Sequence, residues 1–263
     1  MAKRGVGIGI AVLSAAAFGS GGAFVPPLLD AGWTAGTVSL IRTSGAALLL
    51  AIPALLALRG RWGDVRRQGF RVAAYGGLAI AGTQFAYYQA LGRIPVGTAL
   101  MIEYLAPVLL VAATALVARR LPAPTVLVGS ALALGGLALV LDLSGQAGAD
   151  VLGLLWALAA AVLCASYFAL SASIDLPPVG LAGLGMLTAS LSTGAFAAFG
   201  LIPVAIGTRS VTMGGAQLSP LVPLLFITVV ATVLAYLTGI AAARILGGRR
   251  ASFLALSEVL WAV

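Results

Sequence analysis

Apolar residues in this chain come in long runs, broken only by short clusters of charge, proline and glycine. Cutting at those clusters gives runs at 5–24, 37–58, 72–92, 94–118, 125–141, 151–170, 179–206 and 220–243, with a ninth that starts near residue 251 and is still running at Val263. Each full run is near the roughly 20 residues that an α-helix needs to cross about 30 Å of hydrocarbon. The polar/apolar alternation of barrel strands is absent, and backbone hydrogen bonds in lipid must close within the segment, so the runs predict membrane-spanning helices.

Composition agrees with this reading. The 263 residues are 61% hydrophobic and only 8% charged, with 34 glycines, too apolar for a soluble surface. The formal net charge is +8, but the basic residues sit in short connections between runs rather than on one face, which argues against nucleic acid. With the N-terminus inside, twelve of the 15 Lys and Arg fall on the inner side, including Arg59, Arg61, Arg66, Arg67, Arg71, Arg119, Arg120, Arg244, Arg249 and Arg250. Only Arg93 and Arg209 fall outside, and Arg42 lies within a span, as the positive-inside rule expects of a cytoplasmic N-terminus. The weakest joint is the inner loop around Asp175, which has no basic residue of its own. Lys3 and Arg4 open a retained first span rather than a cleaved leader, because the run is long and lacks a clear small-x-small exit before Pro26 and Pro27.

Metal and nucleotide chemistry find little support. The chain has one cysteine, Cys164, and no histidine, and its glycine clusters are not followed by Gly-Lys-Ser/Thr, so no cofactor is expected. Close helix packing is the expected use of the glycines.

Candidate chemistry lies inside the spans. Glu103 sits roughly 9 residues into the fourth span, ~13 Å deep at about 1.5 Å per residue. Glu258 reaches a comparable depth from the other side in the ninth. Carboxylates at that depth face a water-filled cavity or a partner, and a partly desolvated carboxyl group can exchange a proton near neutral pH. When ionised it can also hold an ammonium group. Arg42 either snorkels to the outer interface or meets a substrate carboxylate. Gln84 and Tyr88 lie one turn apart, beside Gln89; Trp156 and Tyr167 share a face of the sixth span, and Thr232 and Tyr236 share one of the eighth. Pro107, four residues after Glu103, removes a backbone donor and predicts a kink beside the site.

The segment 13–24 (LSAAAFGSGGAF) echoes 158–168 (LAAAVLCASYF), and the Ala86-Tyr87 region echoes Ala235-Tyr236. Five spans separate the copies, and an odd number reverses orientation, so the repeat is inverted and a binding site is expected near the midplane.

With Arg42, the segment 97–108 (GTALMIEYLAPV) and the segment 250–259 (RASFLALSEV), the chain resembles the EamA-type transporters of the drug/metabolite transporter superfamily over nearly its whole length. The Glu103-x-x-x-Pro107 pattern, with Tyr104 beside it, looks like the threonine/homoserine exporter branch. The resemblance implies an all-α integral membrane protein of ten helices in two inverted five-helix repeats, at 1–145 and 146–263, the second stopping in its ninth helix as a fragment would. It departs at Val259, where the family often has proline. It further implies an exporter of amino acids or related metabolites in the bacterial plasma membrane, driven by proton antiport, with a homodimer as an assembly to test. The alternatives are efflux of hydrophobic or cationic drugs, or a membrane-embedded enzyme or sensor acting on lipid-linked ligands. An enzyme would need convergent catalytic groups and a sensor an output domain, and the sequence in hand carries neither.

Overall fold

The computed structural model describes residues 2–119, 124, 127–132, 135, 150–207 and 210–261. Six of its helices are long and apolar enough to cross a membrane: Gly5–Asp30, Ala35–Ala57, Gly97–Ala118, Val151–Ser173, Pro178–Ala198 and Leu221–Leu246. They correspond to the first, second, fourth, sixth, seventh and eighth predicted spans. The third span is also helical, as Gly69–Ala74, a π-turn at Tyr75–Gly82 and Thr83–Leu91. Most of the fifth predicted span, with Arg120 and Arg209, lies outside the described residues.

The ninth is half α-helix, Gly248–Ala255, and half 3-10 helix, Leu256–Trp261. The seventh is shorter than expected, because the chain turns at Phe199 and Gly200 into an irregular stretch. The all-α architecture carries one short β element. A two-stranded antiparallel hairpin, β1 (Val211–Met213) and β2 (Ala216–Leu218), follows that stretch. Its Gly214-Gly215 turn has φ of +57° and +81°, the left-handed values that a two-residue hairpin with right-twisted strands demands. Val211 is fully buried against Leu28, Trp33 and Ile227, so the hairpin closes one end of the bundle.

Lipid removes most of the hydrophobic drive between helices, which leaves close packing to hold them. The most extensive contact joins the second and seventh spans. Gly183 faces Ala54 and Gly180 faces Leu58 so closely that a Cβ on either would collide. Gly185 meets the ring of Tyr75 in the third span in the same way. The Ser44–Ser190 hydroxyl pair at 2.7 Å adds a polar contact. Such bonds contribute on the order of 0.6 kcal/mol in membranes, so the backbone approach dominates. Around this pair, the first span packs on the eighth and ninth, and the sixth packs on the third and fourth.

Both ends of the second–seventh pair are tied by polar contacts. At one end the hydroxyls of Thr34 and Thr37 donate to the carbonyls of Pro203 and Ala205, each at 2.9 Å, and Ala205 N–H donates back to both. At the other end, Arg61 and Gln68 donate to the Asp175 carbonyl at 3.0 and 3.3 Å, and Asp175 N–H donates to Gln68. Arg244 donates to the Ile174 carbonyl at 2.9 Å. The Asp175 loop, without a basic residue of its own, is thus surrounded by those of its neighbours. The Asp64 carboxylate beside Arg61 holds its guanidinium above the usual value.

Two tests follow from this packing. Gly183→Leu is expected to lower the thermal midpoint of the purified protein by an amount equivalent to about 1–3 kcal/mol or more, as overpacking does, whereas Gly97→Ala, with nothing within 4 Å of its added carbon, leaves it unchanged. Asp150 caps the sixth span through the N–H groups of Leu152 and Gly153 and pairs with Arg93 at 3.3 Å. Those bonds, Gly153 first, hold its carboxyl below the usual range. The cap therefore stabilises fully above the ordinary aspartate pKa and is lost as pH falls through the lowered one. Asp150→Ala should lower the melting midpoint at pH 7 while making it less acid-sensitive, and Asp150→Asn should retain most of the neutral-pH value.

Candidate functional site

The first, eighth and ninth spans form one wall of a central cavity, and the third, fourth and sixth form the other. The cavity measures about 310 Å³. Arg42, from the second span, reaches into it, and no lining residue comes from the seventh. A cavity of this size, mainly apolar with a few polar groups, suits one small ligand.

The fourth span is built to present its carboxylate. Val96–Glu103 is helical, the chain turns at Tyr104 and Leu105, and helix resumes at Ala106–Ala118 with Pro107 near its start. Pro107 has no N–H to give, so the Glu103 carbonyl lacks its usual helical partner. The predicted break thus falls directly after Glu103, whose side chain lines the cavity. In the ninth span the change from α to 3-10 winding at Leu256 precedes Glu258, which also lines it. Tyr104 crosses between the walls and donates its hydroxyl to Glu258 Oε1 at 3.3 Å.

Among the described residues, Arg42 makes no ion pair with either glutamate. Its Nε is buried without a hydrogen-bond partner, and its guanidinium lies beside the Tyr236 phenol. Glu103 and Glu258 are within electrostatic reach of each other. One cavity therefore holds a guanidinium and two carboxyl groups that do not neutralise one another. A ligand carrying both an anionic and a cationic group would complement them.

Of the twelve residues singled out from sequence, Arg42, Gln84, Glu103, Tyr104, Pro107, Tyr167, Tyr236 and Glu258 line this space. Four do not. Tyr88 donates to the Ala35 carbonyl at 3.1 Å and Gln89 to the Leu201 carbonyl at 3.2 Å, so both serve to join elements at one end of the bundle. Trp156 packs edge-on against Phe85, away from Tyr167. Thr232 is fully buried and bonds the Ile227 carbonyl, five residues back, within a π-turn at Val229–Leu234. That wider winding shifts the helical phase, so Thr232 and Tyr236 do not share the cavity face. Gln84 accepts a hydrogen bond from Ser39 as well as lining the cavity. Arg42 turns inward rather than snorkelling to the interface.

Residues not anticipated include Ser14 and Phe18 on the first span and Cys164 and Phe168 on the sixth. A signal for them existed: all four fall in the two echoing segments, 13–24 and 158–168. Phe18 meets Tyr236 edge-on at 4.9 Å, and Tyr167 meets Tyr236 at 5.4 Å, giving an aromatic floor between the walls.

Comparison with known proteins adds an independent line. No curated protein matches the sequence. A solved crystal structure, described only as that of a protein, is similar at 25% identity with a TM-score of 0.65, covering 99% of this chain and 87% of its own. Residues 5–142 match the EamA-like transporter family, whose members are transporters rather than enzymes. That match spans more than half of the 263 residues, and with six helices long and apolar enough to cross a membrane the chain belongs to the EamA-like transporter family, as a multi-pass membrane transporter of the drug/metabolite type.

Proposed function

We propose that the protein exports amino acids or related small zwitterionic metabolites across the plasma membrane of a bacterium in exchange for protons, with its N-terminus in the cytoplasm. The observation that carries this reading is the single cavity in which Arg42 and the carboxyl groups of Glu103 and Glu258 remain unpaired with one another. A substrate carboxylate would meet Arg42 and its ammonium Glu103, while protonation of Glu103 would release that ammonium. The Glu103-x-x-x-Pro107 pattern, similar to the threonine/homoserine exporter branch, supports an amino-acid substrate.

Two inverted repeats, 1–145 and 146–263 of a ten-helix plan, are part of the proposal. In their favour, the packing exchanges under such a symmetry: first on eighth becomes sixth on third, and second on seventh maps onto itself. The π-turns at Tyr75–Gly82 and Val229–Leu234 fall in the third and eighth spans, and eight-residue helices, Val96–Glu103 and Gly248–Ala255, open the fourth and ninth. Alternating access is then movement of one cavity wall against the other, each wall containing spans from both repeats. Glu103 and Tyr104 ride on one wall and Glu258 on the other. The homodimer remains a proposal to be tested by mass measurement in native nanodiscs.

A second reading, efflux of hydrophobic cations, is favoured by one feature: two carboxyl groups face a single guanidinium among the rings of Phe18, Tyr167, Phe168 and Tyr236, which can hold a cation on their faces. Arg42 separates the two.

In cells expressing the complete gene, Glu103→Gln should reduce pH-dependent amino-acid export at least tenfold without reducing membrane insertion. Arg42→Gln should do the same for zwitterion export; drug efflux that survives Arg42→Gln but falls with Glu103→Gln would favour the second reading. Cys164 serves as a native probe of the cavity. A charged methanethiosulfonate should label it from the aqueous phase, and Leu100→Trp, which fills the cavity, should slow labelling severalfold; a thiol inert in both would mean that water does not reach the site.

A further inference from the structure

Three hydroxyl groups are buried without a well-formed hydrogen bond: those of Tyr75 and Tyr167, within the largest apolar cluster among the described residues, and that of Ser171 beside them. Tyr75 and Ser171 are 0% exposed and Tyr167 is 7% exposed. They are neighbours, coming from the π-turn of the third span and from one face of the sixth. The phenol rings stack at 5.7 Å, and the Ser171 hydroxyl lies beside both phenols. Hydroxyls that lie within reach of one another but form no aligned bond leave buried polar groups unmet at the cost of their desolvation, and a shared partner between them removes that cost. A buried water makes about three hydrogen bonds to polar groups that would otherwise go unmet, which is the number present.

The position of the cluster gives the water a role. Tyr167 lines the central cavity, so the cluster starts where the cavity ends. Gly239 packs against the Tyr167 hydroxyl, where an added Cβ would stand 2.6 Å from it and 3.0 Å from Ser14 Oγ, so the phenol reaches the wall that carries Ser14. On the far side, Arg244 Nε donates to the Ser171 carbonyl at 3.5 Å and Nη2 to the Ile174 carbonyl, at the end of the bundle that carries the Asp175 loop. The apolar side chains of Ile174 and Leu176, both essentially buried, close the space between.

We propose that Tyr75, Tyr167 and Ser171 form a binding site for internal water, a polar step between the central cavity and the Arg244 end of the bundle. That protons use this step rests on the proton-exchange reading above; the presence of the water does not.

The test is X-ray radiolytic labelling of the full chain in lipid nanodiscs in water enriched in oxygen-18, with oxidation located by mass spectrometry. Water bound to the phenols should give Tyr75, although fully buried, heavy-oxygen incorporation several times that of Phe85, and Ser171→Ala should reduce labelling at both Tyr75 and Tyr167. Labelling of Tyr75 at the Phe85 level would overturn the proposal. A thermal melt supplies a second readout with opposite signs. Tyr75→Phe lowers the midpoint if the hydroxyl holds water and raises it if the hydroxyl is dry and unpaired, the latter again overturning the proposal. If Glu103→Gln leaves the pH dependence of export intact while Tyr75 still labels, proton exchange fails and the water site stands.

Discussion

An ionisable side chain within a bundle of apolar helices has to be kept from lipid, and this chain keeps three of them in one place. Arg42, Glu103 and Glu258 come from three different spans and open into the same cavity. The local structure serves that placement. The fourth span interrupts its α-winding just after Glu103, and the ninth changes winding just before Glu258. Each departure weakens a helix where an uninterrupted one would be more stable, which is the pattern expected when a site rather than a fold sets the geometry.

Much of the architecture could be read from residue order, because lipid imposes a length and an apolarity that few other environments do. The spans, the break at Pro107 and the inward acid groups follow from that. The basic connections also gather where expected: Arg61, Arg71 and Arg244 surround the Asp175 loop, which had seemed to lack its positive charge. Which face of each span looks inward was much harder to read. In water a helix advertises its buried face by contrast with a polar one, but in a membrane bundle both faces are apolar and the contrast vanishes. Tyr88 and Gln89 carry polar groups that need partners, and they find them in the carbonyls of Ala35 and Leu201, not in the cavity. Thr232 satisfies itself on its own helix.

One misreading has its cause in helical winding. Extrapolating a face by 3.6 residues per turn assumes an unbroken α-helix, and the π-turn at Val229–Leu234 breaks that assumption for Thr232 with Tyr236, whereas Gln84 and Tyr88, inside the unbroken helix Thr83–Leu91, both turn to the second span, at Ser39 and Ala35. The hairpin at Val211–Leu218 had a readable signal in its Gly214-Gly215 pair, but an apolar run reaching residue 206 obscured where the seventh span ends.

The fastened second and seventh spans give Arg42 a distinctive status. A helix clasped at its start through Thr34 and Thr37 and just past its end through Arg61 cannot tilt without surrendering bonds at one extremity. The guanidinium it carries therefore sits on a helix fastened at both extremities, whereas the two acid groups belong to spans outside that clasp. In the proposed movement of one wall against the other, the distance from this post to the acids would change, and the charge pattern offered to cargo would differ between the two orientations.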